Sequence, residues 1–125
     1  MQSRTTDKTV NLTLVQTGVA QSSPTPLPVV PFDRMELTLI LSVYGRKVGQ
    51  GEWRDYAMDF LRERALFSIY ARVSERPLYV VEKAPKLRNK QGQYSVINQQ
   101  GRILKRGHDL RQVLRVLDPD LAVVE

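Results

Sequence analysis

Cysteine is absent from this chain of 125 residues. The chain therefore has no disulfide scaffold, no thiolate zinc site and no cysteine nucleophile. The single histidine, His108, cannot form a metal site alone, and no glycine-rich pattern typical of a nucleotide phosphate loop is present. We therefore expect no metal, no cofactor and no catalytic residue. Because a lack of cysteine is compatible with a reducing compartment, we take the cytoplasm as the expected location.

Long apolar runs are also absent. The best candidate for a signal peptide, residues 10–20, is interrupted by polar side chains such as Asn11 and Gln16, and no run approaches the length of a membrane span. With 42% hydrophobic and 26% charged residues, the composition is that of a globular domain with room for one core. We expect a soluble protein that does not bind membranes.

Prolines are concentrated near the start, with four of them in residues 24–31. Such a segment favours an extended conformation without backbone hydrogen bonds. We predict that residues 1–31 form a disordered proline-rich tail and that residues 32–125 form a single domain. Residues 28–31 fit the proline-x-x-proline pattern, which short linkers often match by chance. Residues 12–15 are an alternative candidate for an added edge strand, and whether the tail orders on binding stays open.

The start of the domain carries the signature of a helix N-terminus. Asp33 and Glu36 have the spacing of a capping box, and Phe32 and Leu37 occupy the flanking positions of a hydrophobic staple. Apolar residues at helical spacing then predict a helix over residues 34–48. Because the capping box accounts for both carboxylates, we do not interpret them as an acid/base pair.

The middle of the chain predicts strands. Residues 65–73 alternate between apolar and polar side chains, and residues 78–83 are rich in β-branched and aromatic types. Residues 52–61 match both the helical and the strand template, and we favour a strand. Residues 94–97 and 102–105 flank a turn ending in glycine and predict a hairpin.

A second capping box, Asp109 with Gln112, precedes apolar residues at helical spacing and predicts a closing helix that ends at Asp118-Pro119. The predicted fold class is α+β. It has about five antiparallel strands, flanked on one face by an N-terminal and a C-terminal helix.

Carboxylates are missing from residues 83–108, a window that contains seven basic residues. An unbalanced positive strip attracts phosphates or acidic surfaces, whereas evenly mixed charge mainly keeps a protein soluble. We expect the loop and the hairpin in this window to form one basic surface, with Tyr94 placed to stack on a base. The predicted binding residues are Lys83, Lys86, Arg88, Lys90, Tyr94, Arg102, Lys105 and Arg106.

Three functional hypotheses follow. The first is a non-enzymatic interaction or regulatory domain that binds an acidic protein partner, or its own copy, through the basic surface. The alternative is sequence-nonspecific binding of RNA or DNA by the same residues, although no nucleic-acid-binding motif accompanies them. The third, a small hydrolase, requires a pocket with converging carboxylates or an outward-facing His108.

Four blocks of sequence are distinctive as a set. They begin at Phe32-Asp33-Arg34, Val43-Tyr44-Gly45, Gly51-Glu52-Trp53 and Leu104-Lys105-Arg106. Together they resemble a small uncharacterised bacterial family, found chiefly in alphaproteobacteria, over about residues 32–118. The resemblance implies one compact domain of unknown function, and it implies no substrate, cofactor or catalytic residue.

Overall fold

The computed structural model describes residues 28–72 and 75–121. It contains a five-stranded antiparallel sheet and two α-helices, so the α+β class is confirmed. The elements are α1 (Arg34–Gly49), β1 (Asp55–Phe60), β2 (Ala65–Tyr70), β3 (Tyr79–Lys83), β4 (Tyr94–Asn98), β5 (Ile103–Gly107) and α2 (Leu110–Leu114), with a short 3₁₀ turn at Pro85–Leu87.

The sheet is a meander in which each strand pairs with the next one along the chain. Phe67 lies between Met58 and Val81, and Val81 in turn pairs with Val96. We call this side the Phe67 face. Because side chains alternate along a strand, the intervening residues point to the opposite side, which we call the Glu82 face. One row of that face consists of Asp59, Leu66, Glu82, Ser95 and Arg106.

The core contains side chains of the Phe67 face and of both helices. The Tyr44 ring of α1 lies 5.0 Å from that of Tyr56 and 6.0 Å from that of Phe67, both edge-on. Helix α2 contacts β4, β5 and α1. Burial of these apolar side chains supplies the main driving force for folding. The largest fully buried side chains are Phe67, Ile40, Ile69, Leu114, Val43, Val81, Val96 and Val113.

Helix α1 begins as the sequence predicts. The Asp33 carboxylate accepts a hydrogen bond from the Glu36 N–H (2.8 Å), and the Glu36 carboxylate accepts one from the Asp33 N–H (2.7 Å). Both halves of the capping box are therefore present. After the helix, Gly51 adopts a φ of 80°, a left-handed conformation that glycine accepts without strain.

Helix α2 is shorter than its apolar repeat predicts, since it ends at Leu114. The Asp109 carboxylate accepts a hydrogen bond from the Arg111 N–H (3.0 Å). The donor is therefore two residues after Asp109, whereas the predicted capping box uses the residue three positions later. The buried Asp118 carboxylate is paired with Arg46 of α1 at 2.5 Å. Beyond Leu114 the backbone tightens, because the N–H groups of Arg115, Val116 and Leu117 donate to carbonyls three residues earlier.

The strand interpretation of residues 52–61 is confirmed by β1. The strand predicted over residues 65–73 is shorter in the structure, because β2 ends at Tyr70 and Ala71 and Arg72 form a bend, while Val73 lies outside the described residues. Contacts with the domain begin before residue 32, because the Val30 N–H donates to the Leu61 carbonyl (2.8 Å). The remainder of the predicted tail, residues 1–27, also lies outside the described part. Within that part, no helix has the length and apolar character needed to cross a membrane.

Candidate functional site

Two connections between strands lie at the same end of the sheet. In an antiparallel meander, alternate connections share an end, so the β1–β2 turn and the β3–β4 loop are neighbours. The contact between them is direct, because Lys86 of the loop pairs with Glu63 of the turn at 3.0 Å. The hydrogen bond and the positive charge of Lys86 lower the pKa of Glu63 below its usual value. Both side chains are exposed, so this pair adds little stability.

The β3–β4 loop is held in one conformation by its own backbone. The Leu87 carbonyl accepts hydrogen bonds from the N–H groups of Lys90 (3.0 Å), Gln91 (3.2 Å) and Gly92 (2.9 Å). The Ala84 N–H closes the base of the loop by donating to the Gln93 carbonyl at 2.6 Å. The basic side chains of this loop are thus carried on an ordered framework.

Gly92 fixes the loop to the end of β5. Its φ is 99°, and a Cβ at this position would lie 2.5 Å from the Gly107 carbonyl oxygen. Only glycine permits both the positive φ and this close approach of two backbones. The sequence requirement at Gly92 therefore determines where the loop cations sit relative to β5.

On the Glu82 face, a row of mostly polar side chains crosses the strands next to the same end of the sheet. The Glu82 carboxylate pairs with Arg64 at 3.3 Å and accepts a hydrogen bond from the Ser95 hydroxyl at 3.3 Å. Arg106 is the next residue in this row, opposite Ser95. Its Nη1 is buried and lacks a hydrogen-bond partner among the described residues. Glu82 is thus the one buried carboxylate among these cations.

We call this surface the basic end. It combines residues from the β1–β2 turn, the β3–β4 loop and the last part of β5. Counting Glu63, Glu82 and Asp59, which lies in the same row as Glu82, against six cations leaves an excess of three positive charges. Its cations are Arg62, Arg64, Lys86, Arg88, Lys90 and Arg106.

The structure brings only part of the predicted strip together. Lys86, Arg88 and Lys90 are exposed in the loop, and Arg106 lies beside them on β5. Arg102 is exposed in the β4–β5 turn at the other end of the sheet.

Three further residues of the predicted strip lie away from the basic end. Lys105 pairs with Val96 and therefore belongs to the Phe67 face, beside α2. Lys83 and Tyr94 were expected on the surface, but they are directed into the protein because they too lie on the Phe67 face. The expectation of one continuous basic strip therefore has to be replaced by the smaller basic end.

Lys83 and Tyr94 both contact Glu36, which is 6% exposed. The Lys83 ammonium donates to the Glu36 carboxylate (2.8 Å) and to the Pro31 carbonyl (2.9 Å), and the Tyr94 hydroxyl donates to the other Glu36 oxygen. Burial, this hydrogen bond and the charge of Glu36 raise the pKa of Tyr94 above its usual value. Each of these three polar side chains has a hydrogen-bond partner within the cluster, as buried polar groups require. This Glu36 cluster has a structural role and leaves Tyr94 unable to stack on a base.

A surface cleft of about 430 Å³ opens beside the Glu36 cluster, lined in part by Asp33, Glu36, Tyr94, His108 and Asp109. His108 is exposed here, as the hydrolase hypothesis requires. However, the three carboxylates of the cleft already accept hydrogen bonds in helix caps or within the cluster. In the described part of the chain, no three His, Asp or Glu side chains could hold a metal ion. The cleft is therefore a weaker candidate than the basic end.

The sequence reasoning missed two features of the site, which are the contribution of Arg62 and Arg64 and the burial of Lys83. Arg62 and Arg64 join the basic end because the meander places their turn beside the loop, which a charge count along the chain does not detect. Lys83 lies two residues after Val81 in β3, so the alternation of side chains along the strand already places it on the Phe67 face. The partnership of Lys83 with Glu36 spans 47 residues and has no local signal.

A protein-family model matches the part of the chain that contains the sheet and both helices. The model for the family described as protein of unknown function (DUF2794) matches residues 30–114, more than half of the chain. The chain belongs to that family. The expected resemblance to a family of unknown function is thus confirmed, and the match includes α1, all five strands and α2. Neither the curated proteins nor the solved structures gave a significant match.

Proposed function

We propose that this protein is a non-enzymatic interaction domain that binds an acidic segment of a partner protein through the basic end. The observation that carries the proposal is the convergence of six cations from three separate stretches of chain, with three carboxylates, Asp59, Glu63 and Glu82, among them. A field of this kind attracts negative charge and speeds association.

The rigid loop supports a specific contact rather than diffuse attraction. Three backbone N–H groups bind the Leu87 carbonyl, and Gly92 packs on Gly107, so the loop conformation is already set. A preorganised surface loses less conformational entropy on binding than a mobile one. Arg88 and Lys90 are exposed and form no ion pair with a described carboxylate, which leaves both charges available to a partner.

An acidic protein segment fits this surface better than nucleic acid does. Binding of single strands usually combines a positive groove with aromatic side chains that stack on bases. Tyr94 is 8% exposed, and Tyr79 of β3 is partly buried, with its ring 6.3 Å from that of Trp53. Neither tyrosine therefore gives the basic end a stacking platform.

The placement of the helices belongs to the same proposal. We infer that α1 and α2 both cover the Phe67 face in the working protein, which leaves the Glu82 face open beside the basic end. The contacts of Tyr44 with Phe67 and of α2 with β4 and β5 support this arrangement. Cytoplasmic location and the absence of enzymatic activity remain predictions of this account.

The test compares two labelled ligands with the full chain. A peptide rich in Asp and Glu and a duplex DNA are titrated at two salt concentrations, with an Asn and Gln version of the peptide as the uncharged control. We expect saturable binding of the acidic peptide and none of the control. If about six phosphates were contacted, log affinity for DNA would fall against log salt with a slope near −5.4. Tighter binding of DNA than of the peptide at physiological salt would contradict the proposal.

A further inference from the structure

We propose that the outer edge of β1 pairs with the same edge of a second copy of this chain, giving an antiparallel dimer whose two-fold axis passes Met58. This proposal is independent of the basic end, which lies on other residues.

β1 is an edge strand with unusual exposure. It pairs only with β2 among the described strands, and all six of its residues are exposed. Its side chains on the Phe67 face are large and apolar: Tyr56 is 39% exposed, Met58 36% and Phe60 42%. Leu41 and Val48 lie one helical turn on either side of Tyr44, which contacts Tyr56, and they extend this apolar surface. Exposed apolar patches of this kind mark interaction sites.

The free edge of β1 offers backbone groups at regular intervals. The Leu61 N–H donates to the Arg64 carbonyl at 2.8 Å, so the ladder directs the odd-numbered backbone groups of β1 toward β2. The N–H and C=O groups of Tyr56, Met58 and Phe60 consequently point outward. The Tyr56 N–H donates to the carboxylate of its neighbour Asp55 instead of to a strand. These three residues form an unused template for another strand.

The other edge of the sheet is protected, which singles out β1. β5 carries Lys105 and Arg106, its pairing with β4 is irregular after Val96, and α2 contacts it. Charges and bulges are the usual devices that prevent unwanted strand pairing. β1 carries the charges of Asp55 and Asp59, but residues 55–60 contain no Lys, Arg or Pro, and no register shift interrupts the pairing of β1 with β2. When the β1 edges of two copies pair with each other, the assembly closes as a dimer. Pairing of β1 with β5 of another copy would instead leave free edges and continue indefinitely.

The two aspartates of β1 select one register with a second copy. Centred on Met58, the pairing places Tyr56 opposite Phe60 of the second copy, and Ala57 opposite its Asp59. Shifting the second strand by two residues in one direction places Asp55 opposite Asp59 of the second copy. Shifting it by two residues in the other direction places the two Asp59 residues opposite each other. Like charges directly opposite each other are destabilising, and odd shifts would exchange the faces. The strand is therefore complementary to itself in the register centred on Met58.

The absence of cysteine makes a direct test available. In the proposed dimer the two Met58 Cα atoms lie about 5.5 Å apart, within the range that a disulfide spans. The two Tyr56 Cα atoms lie roughly 14 Å apart along the strands, which is too far. After mild oxidation of the full chain, Met58→Cys should give ~10-fold more disulfide-linked dimer than Tyr56→Cys.

Light scattering on the unmodified chain should give twice the 14.3 kDa chain mass. Met58→Lys should be monomeric, because it places two ammonium groups opposite each other on the axis. The matched control Ile103→Lys changes an apolar residue on β5 that is more exposed than Met58, at 47% against 36%, and should stay dimeric. A monomeric unmodified chain, a larger assembly, or strongest cross-linking at Ala57→Cys or Asp59→Cys would overturn the proposal.

Discussion

The Tyr94 hydroxyl donates a hydrogen bond to the buried Glu36 carboxylate, and so β4 is joined to the first turn of α1 across 58 residues of sequence. Lys83 of β3 binds the same carboxylate at 2.8 Å. Glu36 also completes the capping box with Asp33. One side chain thus starts the helix and attaches it to two strands, which fixes where α1 begins relative to the sheet and to the basic end.

Replacing Glu36 with Gln should destabilise the fold by about 2–4 kcal/mol, since it leaves the Lys83 ammonium largely buried without its counter-charge. Gln retains the shape of the side chain and can still complete the capping box, so the loss reports on the charge. The measurement is urea unfolding at neutral pH. As the control, Glu52→Gln removes the exposed partner of Lys47 and should change stability by no more than about 0.5 kcal/mol. An equally small effect at Glu36 would show that the cluster is not a structural centre.

The raised pKa of Tyr94 predicts a loss of stability in alkali. The usual tyrosine pKa is 10.0, and the folded value lies above it. Above pH 10 the unfolded chain therefore releases this proton while the folded chain keeps it, and the contribution of Tyr94 to stability decreases as pH rises further. Tyr94→Phe should be less stable than the unmodified chain at pH 8, by about 1.5–3 kcal/mol.

The same difference in unfolding free energy should become smaller between pH 10 and pH 11.5, because Phe has no proton to release. Unfolding of both proteins in denaturant across this pH range provides the measurement. A difference that stays constant would mean that the folded and unfolded pKa values of Tyr94 are equal.

Two glycines with similar backbone angles should respond differently to alanine. Gly92 (φ 99°) lies against the Gly107 backbone, whereas Gly101 (φ 86°) faces open space. Gly101→Ala incurs only the left-handed strain of about 1–2 kcal/mol. Gly92→Ala adds a backbone overlap and should cost about 3 kcal/mol or more. The measurement is the thermal or urea unfolding of both variants. Equal losses of unfolding free energy would show that the loop is not held against β5.

Local signals in the sequence predicted the secondary structure well. The capping box at Asp33 gave the start of α1, and the alternation in residues 65–73 gave the inner strand β2 with its correct face. The end of α2 was predicted too late, because the apolar repeat continues to the buried Leu117 while the backbone changes to hydrogen bonds three residues apart after Leu114.

The candidate site was only partly predictable for the same physical reason. The charge window contains the loop cations, but burial of Lys83 and Tyr94 depends on strand parity and on the position of Glu36. The contribution of Arg62 and Arg64 depends on the meander topology. Charge along the chain is local information, whereas a surface is assembled by tertiary contacts.

The central claim is that the position of the cations at the basic end, and not net charge alone, binds an acidic partner. Two triple variants lower the net charge equally, by six: Lys86, Arg88 and Lys90 to Glu at the basic end, and Arg102, Lys105 and Arg115 to Glu elsewhere. All six side chains are exposed, so both variants should fold, as circular dichroism will verify.

The deciding measurement is the Kd of the acidic peptide for each variant at physiological salt. We predict a loss of affinity of about tenfold or more for the loop variant, because charged contacts act at short range in salt, and of less than about threefold for the other. Equal losses in the two variants would contradict the account.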